Sequence, residues 1–163
     1  MREDTFVAAA YEAGLLSLAA FLGYLFHSPL IFTSLGPTAF EIVETPTRPS
    51  AKPYNILMGH AIGIVAGLIG LGISHAWAVP PVSVHGVPPL RILSVAIAGL
   101  LTVIGTLALK ATQPASLSTT LLISLGTMQT WHAVLSIVIG VGLMASIGEP
   151  IRRIRERSPA GSA

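Results

Sequence analysis

The chain has no cysteine, one aspartate (Asp4) and charge on only 10% of its residues. Without cysteine there is no disulfide framework, no thiol nucleophile and no thiolate-bound metal. A soluble domain carries roughly a quarter of its residues as Asp, Glu, Lys or Arg, so the deficit excludes an ordinary water-soluble enzyme. Nine Lys and Arg against seven Asp and Glu leave +2, too slight an excess to point to nucleic acid. No Ser-His-Asp set, Gly-rich phosphate loop or catalytic carboxylate pair occurs, and no enzymatic activity is expected. Five histidines without ligand spacing give no metal site, and nothing calls for a cofactor.

What is present is apolar. Hydrophobic residues make up 52% of the chain, which is too many for a disordered one. Mean hydropathy is +0.76. Charge is missing altogether from Ala13 to Phe40, from Pro53 to Leu90, from Ile92 to Leu109 and from Ala111 to Gly148. A helix needs about 20 mostly apolar residues to cross a bilayer. The gaps therefore predict four spans, near Phe6–His27, Ile56–Ala78, Ile92–Ala111 and Met128–Gly148, the last closed by Glu149-Pro150. The expected fold is an all-α membrane protein, with residues 1–151 as one transmembrane domain and 152–163 as a basic, disordered cytoplasmic tail. Arg2, Arg91 and the tail arginines on one side, against Arg48, Lys52 and Lys110 on the other, place both termini in the cytoplasm.

Two apolar segments are too short to span, Gly36–Glu44 and Gln113–Leu125, and each is opened by a proline, Pro37 or Pro114. They read as short re-entrant half-helices, tolerated at membrane depth where protein or a watery cavity surrounds them. Span, half-helix and span then occur twice. With both half-helices entering from the same side, the expected duplication is parallel, about an axis along the membrane normal.

A helix that starts inside the bilayer exposes unpaired N–H groups and a positive dipole end, which suit an anion. Ser34, Gly36, Pro37 and Thr38 flank the first start; Thr112, Gln113, Pro114, Ser116, Ser118 and Thr119 flank the second, with Lys110 one turn before it. Asn55 and His60 open the second span, and an ionisable group inside a span marks a candidate pathway. His132, early in the fourth span, is expected at similar depth. Gly59, Gly63 and Gly67 form a four-residue stripe that lets a second helix approach closely, from the same chain or another copy.

The run Leu35-Gly-Pro-Thr-Ala-Phe40, the linker Pro49-Ser-Ala-Lys-Pro-Tyr-Asn55 and the following Gly59-His60 resemble the HPP family of integral membrane proteins. Arg91–Leu100 and the break at Gln113-Pro114-Ala115 fall where that family's third helix and His-Pro-Pro motif fall. Here the motif's His-Pro-Pro-Ala-Gly-Ala-Thr is replaced by Thr112-Gln-Pro-Ala-Ser-Leu-Ser118. The resemblance implies a four-helix protein of the inner membrane, and some such proteins are described as nitrite transporters. The function expected is thus a transporter or channel for a small inorganic anion such as nitrite, embedded in membrane lipid as a homo-oligomer and without nucleic acid. The alternative is a non-transporting scaffold that packs on a partner through its glycine-rich helix.

Overall fold

The computed structural model describes residues 3–157. Among these there are seven helices and no strand: α1 (Glu3–Leu25), α2 (Leu35–Glu44), α3 (Pro53–Ile73), α4 (Val82–His85), α5 (Pro89–Ala108), α6 (Ala115–Ser124) and α7 (Trp131–Glu156). α1, α3, α5 and α7 are long and apolar enough to cross a membrane. Local chemistry sets their ends. Pro53 and Pro89 open α3 and α5 at the first helical position, where the missing N–H costs nothing. The Thr130 side chain caps α7 by accepting from Ala133 N. His27, His75 and Lys110 stop α1, α3 and α5 in the left-handed conformation.

The expected end of the fourth span is corrected. Pro150 lies inside α7, which continues to Glu156. Arg152 and Arg155 are buried there: Arg152 Nη1 donates to Pro46 O (2.9 Å) and Arg155 Nε to Val43 O (3.1 Å). Arg152 also pairs with Glu149 and Glu156. The start of the expected tail is therefore packed helix, locked onto the end of α2; the rest of it, 158–163, lies outside the described residues.

Cross-links at the two ends of the bundle fix its directions. At one end Tyr54 Oη donates to Leu109 O (3.0 Å), joining the start of α3 to the end of α5. Gln113 Nε2 reaches Ser50 O (3.0 Å) at the same end, and Arg152 and Arg155 clasp the α2–α3 connection. At the other end Gln129 Nε2 donates to Trp77 O (3.3 Å), Val82 N to Leu125 O (3.2 Å) and Arg91 Nη1 to Ser124 O (3.2 Å). The end of α3, the start of α5, the end of α6 and the start of α7 thus lie together. α3 and α7 run in opposite directions. The first end, with Arg48, Lys52, Lys110 and the arginines of α7, is termed the basic end; the second is the Arg91 end.

This corrects the expected parallel duplication. The short helices do not return to the end from which they came. The chain passes from the Arg91 end through the irregular residues 28–34 into α2 and on to the basic end. It passes from the basic end through residues 109–114 into α6 and on to the Arg91 end. The two halves are related by inversion. A Cβ on Gly59 would lie 3.2 Å from Ala111 O and also meet Gln113; one on Gly140 would lie 2.6 Å from Leu30 O and also meet Phe32. Gly67 meets Ile123 as Gly148 meets Ile42. All these pairs share one offset of 81 positions (140 − 59, 148 − 67, 123 − 42). Because α3 and α7 are antiparallel, the twofold that exchanges them lies across the helices. That is the arrangement of inverted transporter repeats.

The core differs between the halves. α2 packs on α7 through Leu35, Ala39, Ile42, Val43, Ile137 and Met144, all apolar. α6 packs on α3 with Ser116, Thr119, Thr120, Ile123 and Ser124 buried, so most of that face is hydroxyl. The glycine stripe Gly59–Gly63–Gly67 is occupied by α6 of the same chain, which leaves it unavailable as a surface for a partner.

Candidate functional site

His60 sits on the third turn of α3, about 10 Å in from its first residue at 1.5 Å per residue. It is 1% exposed. Nε2 lies 3.1 Å from Thr38 Oγ1 and Nδ1 lies 2.7 Å from Thr119 Oγ1. Thr38 and Thr119 are themselves 81 positions apart (119 − 38), so the imidazole bridges equivalent threonines of the two halves. Thr38 Oγ1 also donates to Ser34 O (2.9 Å), and Ser34 Oγ lies 2.9 Å from Thr119 Oγ1.

Counting hydrogens assigns the donors. The single Thr38 hydrogen goes to Ser34 O, so Thr38 Oγ1 accepts from His60 Nε2–H. A neutral ring then accepts at Nδ1 from Thr119, and Thr119 accepts from Ser34. Each donor in the circuit has one acceptor. The assigned form is the neutral Nε2–H tautomer, inferred from this network.

The circuit joins the first turns of α2 and α6 well inside the bundle. Their backbone donors are less available than the sequence suggests. Ala115 N donates to Gln113 Oε1 (3.2 Å), Ser116 N to Gln113 O (3.0 Å) and Leu117 N to Pro114 O (3.2 Å), so the start of α6 is capped by its own chain. At α2, Leu35 N donates to Phe32 O (3.0 Å) and Pro37 has no N–H. The groups free to rearrange are therefore the hydroxyls and the imidazole. This corrects the expectation of two bare helix ends.

The other sequence candidates divide into two groups around the circuit. On the basic side, Asn55 Nδ2 donates to Thr112 O (3.1 Å) and Lys110 O (3.4 Å), holding the lead into α6 against α3. Asn55, Lys110, Thr112, Arg48 and Ser50, two of them cations, line an open cavity of about 550 Å³. Buried Gln113 lies against Gly59, the residue before His60 in α3. On the Arg91 side, Ser118 and Thr33 line a second cavity of about 260 Å³. Ser116 is buried beside Gly63 one turn from the circuit, and its carbonyl accepts from Thr120. Gly36 is half-buried, whereas Pro37 and Pro114 are exposed and make no part of the circuit. A cleft of about 70 Å³ between Leu57, Ala61, Ile64, Val138 and Val141 reaches His60, against the ~10–15 Å³ that one water needs. His132 is exposed at the Arg91 end and not level with His60, because α7 starts where α3 stops.

Thr102, Thr120, Ser94 and Ser124 escaped the sequence reading, and Arg91 entered it only as a topological charge. Thr102 Oγ1 and Thr120 Oγ1 lie 2.7 Å apart, tying α5 to α6. The signal was available: Arg91, Ser94, Thr102 and Thr106 recur on one face of α5, and all are buried. Among the described residues no group of three His, Asp or Glu converges as metal ligands.

The family pattern described as HPP, transmembrane region, matches residues 2–159. No curated protein and no solved structure matches the chain.

Proposed function

The chain belongs to the HPP transmembrane family, and from that premise we propose that it carries a small inorganic anion such as nitrite across the inner membrane. The observation that carries the reading is the His60 circuit, where two inverted halves meet. Broken helices that meet inside a bilayer at a repeat interface mark a substrate site in transporters. Here the meeting point is lined by hydroxyls and one imidazole, uncharged groups that donate to an anion once their hydrogens turn toward it. A cavity at the basic end is lined by Asn55 and Thr112, one at the Arg91 end by Thr33 and Ser118, and a smaller cleft reaches His60 itself. No enzymatic step is part of the reading.

The basic end is assigned to the cytoplasm. Of the eight Lys and Arg in residues 3–157, Arg91 alone lies at the opposite end. Such an asymmetry is what the positive-inside rule describes. On this reading both chain ends are cytoplasmic, after six crossings rather than four. A homo-oligomer is part of the proposal, because so short a chain encloses little interior of its own. The scaffold alternative loses its motivation, since the glycine stripe is filled from within the chain.

Purified protein in liposomes tests this. Nitrite added outside should enter protein-containing vesicles faster than empty ones and saturate with concentration. Uptake equal to that of empty vesicles, for nitrite and for other small anions, overturns the reading.

A further inference from the structure

Arg91 has no exposed surface, although it begins a membrane-crossing helix. Its Nη1 donates to Ser124 O (3.2 Å), and its Nη2 donates to Gln129 Oε1 (3.0 Å) and to Val79 O. These are neutral oxygens. They orient the guanidinium, and the last turn of α6 adds a partial negative dipole end, but none carries a formal charge. The ion pairs of the described residues all lie at the basic end, between Glu149, Glu156 and the α7 arginines. Arg91 is thus a buried cation without a counter-charge, which is costly when it stays unpaired.

Three buried polar atoms here have no partner: Arg91 Nε, Ser94 Oγ and Ser124 Oγ. Ser94 is one turn along α5 from Arg91, and Ser124 is the residue whose carbonyl Arg91 holds. Buried polar groups are rarely left unsatisfied, and three on adjoining turns of α5 and α6 call for a ligand that accepts from them. The chain itself leaves room for nothing bulky. A Cβ on Gly126, which has φ of +85°, would strike the guanidinium.

We propose that Arg91, Ser94 and Ser124 form a second anion-binding station, for a small oxyanion, at the Arg91 end of the protein. The inference deepens the transport reading and rests on it for its meaning. Two hydroxyl donors and a guanidinium N–H match the several acceptor lone pairs of a compact oxyanion. The anion supplies the charge that the neutral oxygens do not. Arg91 also ties the loops after α3 and α6 through Val79 and Gln129. An anion that draws the guanidinium toward Ser94 therefore loosens the closure at this end.

Binding tests the station separately from transport. Protein in a phosphate-free maltoside detergent is titrated with sodium nitrite, and thermal unfolding is followed against sodium gluconate at equal ionic strength. Nitrite should raise the unfolding temperature saturably. In the Ser94→Ala/Ser124→Ala double variant, which removes two unpartnered hydroxyls and no structural bond, the half-saturating concentration should rise about tenfold. Arg91→Lys should weaken binding less than Arg91→Gln. Equal half-saturation in the wild type and the double variant overturns the proposal, as does stabilisation by added phosphatidylglycerol with none by nitrite. Serine-dependent binding without vesicle uptake would leave the station standing and remove the transport reading; uptake with serine-independent binding would do the reverse.

Discussion

His60→Ala is expected to lower anion flux in proteoliposomes by roughly tenfold or more while the protein still folds. The truncation removes one donor and one acceptor and leaves Thr38 and Thr119 without their shared partner. A buried polar group left unpaired costs about 1–3 kcal/mol, and 1.4 kcal/mol is a factor of ten. The hydroxyls of α2 and α6 then lose the group that couples them. A proton on His60 has a related effect. Nδ1 becomes a donor, so Thr119 must turn its hydrogen back toward Ser34, and the whole circuit reverses on one side. Wild-type flux should accordingly change once the pH is low enough to protonate His60, and His60→Ala flux should not. A variant with wild-type flux and a wild-type pH profile would remove His60 from the mechanism.

The second large effect concerns folding. Gly63→Leu should yield little monodisperse protein in size-exclusion chromatography. A Cβ at this position would lie 2.6 Å from Ser116 O and 3.1 Å from Thr120 Oγ1. The first contact is with backbone, which cannot turn aside as a side chain can. α6 would have to leave α3, and with it Thr119 would leave His60. Overpacking a core commonly costs about 1–3 kcal/mol, and backbone displacement over a whole helix places this variant at or beyond the upper figure. Gly72→Leu is the control. Nothing lies within 4 Å of its Cβ direction, so normal yield is expected. Equal yields from the two variants would contradict the packing account.

Much of this architecture is legible from residue order alone. Charge-free gaps mark the four long helices, Pro37 and Pro114 mark the two short ones, and the Gly59–Gly67 stripe marks the closest approach. His60 stands out because an ionisable side chain in a span is costly. Direction is not legible in the same way. Hydropathy registers α2 and α6 as too short to cross, and it cannot see that residues 28–34 and 109–114 complete their crossings in irregular form. Each missed crossing flips every later span. Arg48, Lys52 and Lys110 therefore fall on the wrong side, and a parallel repeat follows. The offset of 81 positions is also hidden, because the paired positions share contacts more than identities: Phe32 stands opposite Gln113, and His60 opposite Val141. The α5 stripe from Arg91 to Thr106 was legible, but Arg91 read as a topological anchor.

The central claim is that two inverted halves bring their short helices together at His60, and sided labelling tests it most directly. The absence of native cysteine makes single-cysteine variants clean reporters. Thr47→Cys, Thr127→Cys and Arg157→Cys all place the thiol at exposed positions. With a membrane-impermeant maleimide applied to intact cells and then to inverted vesicles, Thr47→Cys and Arg157→Cys should react from the same side and Thr127→Cys from the other. Labelling of Thr47→Cys and Thr127→Cys from one side would restore the parallel arrangement and contradict the inverted one.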